Sequence, residues 1–85
     1  MFARVPSRDK IIEGHTFKPL PVLEGDAYKA NVEEFAIIVR RPAMGLWKVC
    51  ILHQSGAKRI LPKEYESLPR AGMDGLKALP ECREG

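Results

Sequence analysis

The sequence predicts a β-rich α+β domain centred on a three-stranded antiparallel meander at about 35–41, 46–53 and 58–61. Two observations carry that expectation. The runs "EFAIIVRR", "LWKVCILHQ" and "RILP" are rich in β-branched and aliphatic residues, the side chains that pack well on a pleated surface. They are separated by "PAMG" and "SGAK", whose proline and glycines punctuate extended structure. In the middle run Trp47, Val49 and Ile51 share one face of a strand, and Leu46, Lys48, Cys50 and Leu52 share the other. Apolar character on both faces points to a small closed sheet or to a sheet covered by another element.

The flanking elements follow in chain order. Residues 1–14 carry no sustained period and are expected to form a loose N-terminal arm, ordered at most around Ile11 and Ile12. Residues 15–80 form the single globular domain, and 81–85 a C-terminal tail. In "HTFKPLPVLEGD" the residues Phe17, Pro19 and Pro21 alternate. Proline lacks the N–H a central ladder needs, so this segment reads as an edge strand or a polyproline-like stretch. "DAYKANVEEF" supports two readings, a helix capped by Asp26 with Tyr28, Val32 and Phe35 on its inner face, or a long loop entering the next strand. The helix is the expected one. After Pro62, "PKEYESLP" is expected to make one turn of helix, with Leu68 returning to the core before Pro69 stops it. "MDGLKALP" would make another, placing Met73, Leu76 and Leu79 at threefold spacing. Gly72, Gly75 and Pro80 are expected to keep that last piece short.

Composition narrows the functional classes. The chain has 85 residues, 45% hydrophobic and 29% charged, with a formal net charge of +3. A chain of this length makes one domain and buries only about 60% of its unfolded surface. Its longest apolar runs fall far short of the roughly 20 residues of a membrane span, and "MFARVPSRDKIIEG" lacks the apolar stretch of a secretory signal. Two cysteines cannot build a disulfide scaffold. Cys50 is expected as a reduced core thiol and Cys82 as an exposed one, which together favour the cytoplasm.

Catalytic and metal-binding motifs are absent from the sequence. His15 and His53 are far apart, and alternation places Cys50 and His53 on opposite faces of one strand, so they cannot chelate or act as thiol and base. Ser7, Ser55 and Ser67 lack a nucleophile motif, and "AGMDG" lacks the lysine of a phosphate-binding loop. Neither an enzyme nor a cofactor is expected.

Binding residues are better represented. Arg40 and Arg41 end the first meander strand, and Lys58 and Arg59 begin the third. The two pairs are expected at opposite ends of the sheet, with Lys48 and Lys63 extending either one. Trp47 is expected in the core, and Tyr65, between two glutamates, on the surface.

"GLWKVCILHQSGAKRILPKEYESL" resembles the second half of a Src-homology-3-like barrel. Trp47, Gly56, Leu61, Pro62 and Tyr65 match the family's tryptophan-bearing strand, turn, proline and one-turn helix, and "EFAIIV" stands as the strand before. The resemblance implies a small barrel, closed here by residues 15–24, with Pro62 and Tyr65 at ligand-facing positions. Leu46 stands where peptide-binding members carry a ligand-facing tryptophan, and Glu64 replaces their asparagine, so the family's proline-rich ligands are not implied.

The function expected from the sequence is a small non-catalytic protein-binding module or inhibitor. In size and class it resembles proteins carried by bacteria and their phages. One alternative is a nucleic-acid binder using Arg40, Arg41, Lys58 and Arg59 with Trp47 or Tyr65 as an aromatic platform. Another is a small subunit of a homo-oligomer. No membrane partner is expected.

Overall fold

A computed structural model of the protein describes residues 8–22 and 24–84. Six strands run in chain order: β1 (Lys10–Ile12), β2 (His15–Pro19), β3 (Asp26–Val32), β4 (Phe35–Arg41), β5 (Lys48–His53) and β6 (Lys58–Ile60). A helix, α1 (Leu68–Glu84), follows. Every strand pairs antiparallel with its sequence neighbour in the order β1-β2-β3-β4-β5-β6. Among the described residues β1 and β6 are therefore the two edges, and the sheet is not closed into a barrel. The expected meander is the β4-β5-β6 half of this larger sheet. The segment expected to close a barrel instead supplies β2, an inner strand between β1 and β3.

Register follows from tight turns. Ile12 faces His15 across a two-residue loop in which Glu13 (φ 50°) and Gly14 (φ 79°) are both left-handed, the geometry of a type I′ hairpin turn. Val32 faces Phe35 across Glu33 and Glu34, with Glu33 at φ 56°. Residues 10–12, expected within the loose arm, are thus the outer strand of a hairpin, and Ile12 reaches the core.

The helix expected over 26–36 is not formed. Asp26–Val32 is strand β3, paired residue for residue with β4 from Asp26↔Arg41 to Val32↔Phe35. Tyr28, Ala30 and Val32 alternate inward while Lys29 and Asn31 point out, so a period of two describes the segment better than the fourfold spacing of Tyr28 and Val32. Seven residues of β3 give seven cross-strand partners on β4, which outweighs the weak helix preference of a short, alanine-containing stretch.

One face of the sheet forms the core. Phe17, Tyr28, Ala30, Phe35, Ile37, Val39, Trp47, Val49 and Ile51 are buried there against Ala71 and Leu79 of α1. Helix α1 starts where Ser67 accepts the Arg70 N–H on its hydroxyl and the Ala71 N–H on its carbonyl, an N-cap that leaves Pro69 in the first turn, where its missing donor costs nothing. Pro69 therefore lies inside the helix instead of ending a turn.

The expected break at Gly72 and Gly75 does not occur, because both glycines face the sheet. A Cβ on Gly75 would lie 2.9 Å from Ile37 Cγ2 and 3.2 Å from Val49 Cγ1. The missing side chains let the helix backbone settle directly on β4 and β5. Pro80 sits within α1 near its C-terminal end and removes one i→i−4 bond there, yet the helix runs on to Glu84 and Cys82 still packs against the core. Met73 and Leu76 pack against the core beside Leu79, as their spacing predicts, but from a 17-residue α-helix that also takes in most of the expected tail.

The stretch after β6 is a lock between sheet and helix. Leu61 N–H still bonds the Val49 carbonyl, and after Pro62–Glu64 bulge away, Tyr65 pairs in both directions with Trp47 at 2.7 and 2.9 Å. Tyr65 is thereby drawn into the core at 4% exposure, which overturns its expected place on the surface. Its two neighbouring glutamates stay outside, as an extended residue pair on either side of an inward side chain must.

Candidate functional site

Among the described residues no helix covers the second face of the sheet. Register assigns its outward positions: Ile11 on β1; Thr16 and Lys18 on β2; Ala27, Lys29 and Asn31 on β3; Ala36, Ile38 and Arg40 on β4. Lys48, Cys50 and Leu52 on β5 and Lys58 and Ile60 on β6 complete it. These positions carry five cationic side chains, Lys18, Lys29, Arg40, Lys48 and Lys58, and no carboxylate. The strand carboxylate Asp26 is on the helix-covered side, where it accepts a 2.7 Å bond from Arg41.

Two of the direct cross-strand pairs on this open face are cation on cation: Lys18↔Lys29 and Arg40↔Lys48. Side chains opposite one another on adjacent strands stand about 4.5–5.5 Å apart at Cβ, where opposite charges stabilise and like charges destabilise by a few tenths of a kcal/mol to about 1 kcal/mol. Glu64, from the loop after β6, approaches Lys48 to 3.5 Å. Both groups are half exposed, so the bridge offsets little of the repulsion. Between the cations lies an aliphatic strip of Ile38, Cys50 and Leu52, each half-buried, flanked by exposed Ile60 and Leu46.

The residues expected to bind from sequence divide between the two faces. Arg40 and Lys58 stand on the open face, at opposite ends of the strands. Arg41 lies on the helix side, its guanidinium 4.8 Å from the Trp47 ring centroid and bonded to Asp26. Arg59 is also on the helix side, tied to Glu81 at 3.1 Å and donating toward the Cys82 sulfur at 4.0 Å. Adjacent residues on a strand necessarily point apart, so each dipeptide of basic residues contributes one cation to each face.

Trp47 is 5% and Tyr65 4% exposed, so neither is a stacking platform, and the aromatic element of the expected nucleic-acid site is absent. Trp47 packs instead against Tyr28, with centroids 6.1 Å apart. The Tyr65 phenol is raised above its ordinary value near 10 by burial first, then by its hydrogen bond to the Asp74 carboxylate and that group's charge. Lys63 Nζ lies 5.5 Å from the centroid of the Tyr65 ring.

Cys50 is half-buried on the open face and lies outside the helix-covered core, while Cys82 is half-buried against that core and not free in a tail. His53 packs edge-on against Phe35 at 5.0 Å and accepts the Ser55 N–H at Nδ1. Among the described residues no group of three or more His, Cys, Asp or Glu is placed to hold a metal ion. No helix among them is long and apolar enough to cross a membrane.

Lys18 and Lys29 are the members of the open face that sequence reasoning passed over. Lys29 lay in a segment read as helix, and Lys18 in one read by its prolines. The alternation of Phe17 with Lys18, and of Tyr28 and Ala30 with Lys29, was the available signal.

No family model, curated protein or solved structure matches this chain.

Proposed function

We propose that the protein is a non-catalytic binding module whose open sheet face takes single-stranded nucleic acid. The observation that carries this reading is the pair of cation-on-cation registers, Lys18↔Lys29 and Arg40↔Lys48, on a face without a strand carboxylate. Such an arrangement costs the isolated fold stability and is relieved by a polyanion lying across the strands. Phosphate contacts of this kind supply affinity without reading sequence. The aliphatic strip between the cations gives bases an apolar surface to rest on, although among the described residues no exposed aromatic stands there to stack on them.

The test is a salt titration of a fluorescein-labelled 12-nucleotide single strand followed by anisotropy. With Arg40 and Lys48, opposite one another in register, sharing one phosphate, the five cations neutralise about four phosphates. The logarithm of the affinity then falls with a slope of about −2.8 against the logarithm of salt, a loss of about 50-fold between 50 and 200 mM. Absence of binding at 50 mM salt, or binding that ignores salt, removes this reading.

A second reading rests on a different observation, the aliphatic strip Ile38, Cys50 and Leu52 with exposed Ile60 and Leu46. It makes the same face a docking surface for a protein partner, as in a small inhibitor. Salt-tolerant capture of a protein that Leu52→Glu abolishes would favour it, since a charge in the strip blocks apolar docking.

A further inference from the structure

The open face has a built concavity at one end. Leu20 and Val22, which follow β2, border a groove of about 470 Å³ with Ala27 of β3, Ile38 and Arg40 of β4 and Lys48 of β5. Leu20, Val22, Ala27 and Ile38 form its apolar walls, and Arg40 and Lys48 stand on its rim. Its shape is held by the backbone. Leu20 N–H bonds the Ala27 carbonyl at 2.8 Å, and Gly25, buried at φ 72°, packs so closely on the Arg41 carbonyl that any side chain there would collide with it. Asp26 and Arg41 also line the end of the groove, and their side chains, turned to the helix side of the strands, pair with one another at 2.7 Å. Glu24 is the further carboxylate on its border.

We infer that this groove is a nucleobase subsite, which seats one base of the bound strand between Leu20, Val22 and Ile38 with the neighbouring phosphate on Arg40 and Lys48. The inference rests on the binding function proposed above and deepens it. Three properties of the groove select this occupant. Its volume lies in the range of small-molecule pockets, about 300–1,000 Å³, large enough for one nucleotide and too small for a folded element. Its walls are aliphatic and its rim is doubly cationic, matching a flat apolar base joined to an anionic phosphate. Glu24 adds a single acceptor that rewards an exocyclic amino group, the same pairing by which carboxylates accept from cytosine N4. A strand of amino-bearing bases is therefore preferred over one of thymine, whose exocyclic groups are both carbonyls and which has no amino group to give a carboxylate.

The experiment compares three 12-nucleotide single strands at 50 mM salt: oligo-dC, oligo-dT and an abasic strand with the same phosphates. Oligo-dC is expected to bind about tenfold more tightly than the abasic strand, equivalent to about 1.4 kcal/mol, with oligo-dT between them. Val22→Asp, on the half-buried wall, is expected to bring oligo-dC down to the abasic level. Glu24→Ala is expected to erase the dC-over-dT ratio while leaving binding itself intact.

Methyl chemical shifts of Leu20, Val22 and Ile38 on addition of cytidine monophosphate provide a readout that needs no variant. Movement confined to these methyls supports the subsite, and no movement at a saturating concentration overturns it. Equal affinity for all three strands, unchanged by Val22→Asp, overturns the subsite and leaves the cationic face standing. If the abasic strand and oligo-dC both fail to bind, the cationic face itself falls, and the subsite with it.

Discussion

Gly75→Ala tests how the helix is held on the sheet. A Cβ at this position meets Ile37 Cγ2 at 2.9 Å and Val49 Cγ1 at 3.2 Å, against an optimal carbon–carbon separation of about 3.5–4.0 Å. Relief requires α1 to rise by roughly half an ångström to one ångström. Neither neighbour can turn aside, because both are β-branched, fully buried and in adjacent inner strands. Overpacking by one methyl costs about 1–3 kcal/mol, and replacing glycine by alanine inside a helix returns about 0.8–1.0 kcal/mol. The expected net result is a loss of about 1 kcal/mol, or about 4–8 °C in Tm for a domain of this size.

Gly72→Ala is the internal control. Its Cβ would meet Ile12 Cδ1 at 2.5 Å and Phe17 Cζ at 3.3 Å. Ile12 Cδ1 is the free end of a side chain on the edge strand β1, able to swing away. Both substitutions share the same propensity gain, so their difference compares packing against β4 and β5 with packing against β1 and β2. Urea unfolding followed by far-UV circular dichroism measures both. If Gly75→Ala equals or exceeds Gly72→Ala in stability, the close approach of α1 to β4 and β5 is not what positions the helix.

Glu13→Asn places the preferred residue in a turn whose two central positions both have positive φ, and is expected to raise stability by about 0.5 kcal/mol, read as a shift of the urea midpoint at constant slope. Because folding raises the Tyr65 phenol above its unfolded value, the folded state holds that proton more tightly. Its contribution is fully present below pH 10 and is lost as pH rises through 10 toward the folded value. Stability is therefore expected to fall in that alkaline window, and Tyr65→Phe to flatten the fall; an unchanged profile would disconnect Tyr65 from it. Lys29→Ala is expected to weaken single-strand binding and reduce the salt slope by about 0.7, the share of one phosphate contact. Arg59→Ala, on the helix side, is expected to leave the slope unaltered.

What could be read locally is the half of the sheet whose strands announce themselves one at a time. The β-branched run of β4 and the alternation of Trp47, Val49 and Ile51 against Lys48, Cys50 and Leu52 mark those strands, because strand periodicity is a property of consecutive residues. With apolar residues on both faces, they do not say which face the helix covers. The same rule separates Cys50 from His53, and Arg40 from Arg41, without any fold. β3 and α1 were settled elsewhere. Asp26–Val32 is extended because seven partners on β4 await it, and Leu68–Glu84 stays helical through Gly72 and Gly75 because Ile37 and Val49 lie where their side chains would be. Local propensity disfavours both outcomes by amounts that burial against a distant strand exceeds.

Tyr65 turned inward for a similar reason, through paired bonds to Trp47, eighteen positions away. The binding face is the clearest case of all. Lysines at 18, 29, 48 and 58 and an arginine at 40 are unremarkable along a chain of net charge +3. They become one cationic surface only when antiparallel register sets Lys18 opposite Lys29 and Arg40 opposite Lys48. Charge type belongs to the sequence. Which charges face one another, and which face the helix, is decided by pairing between strands.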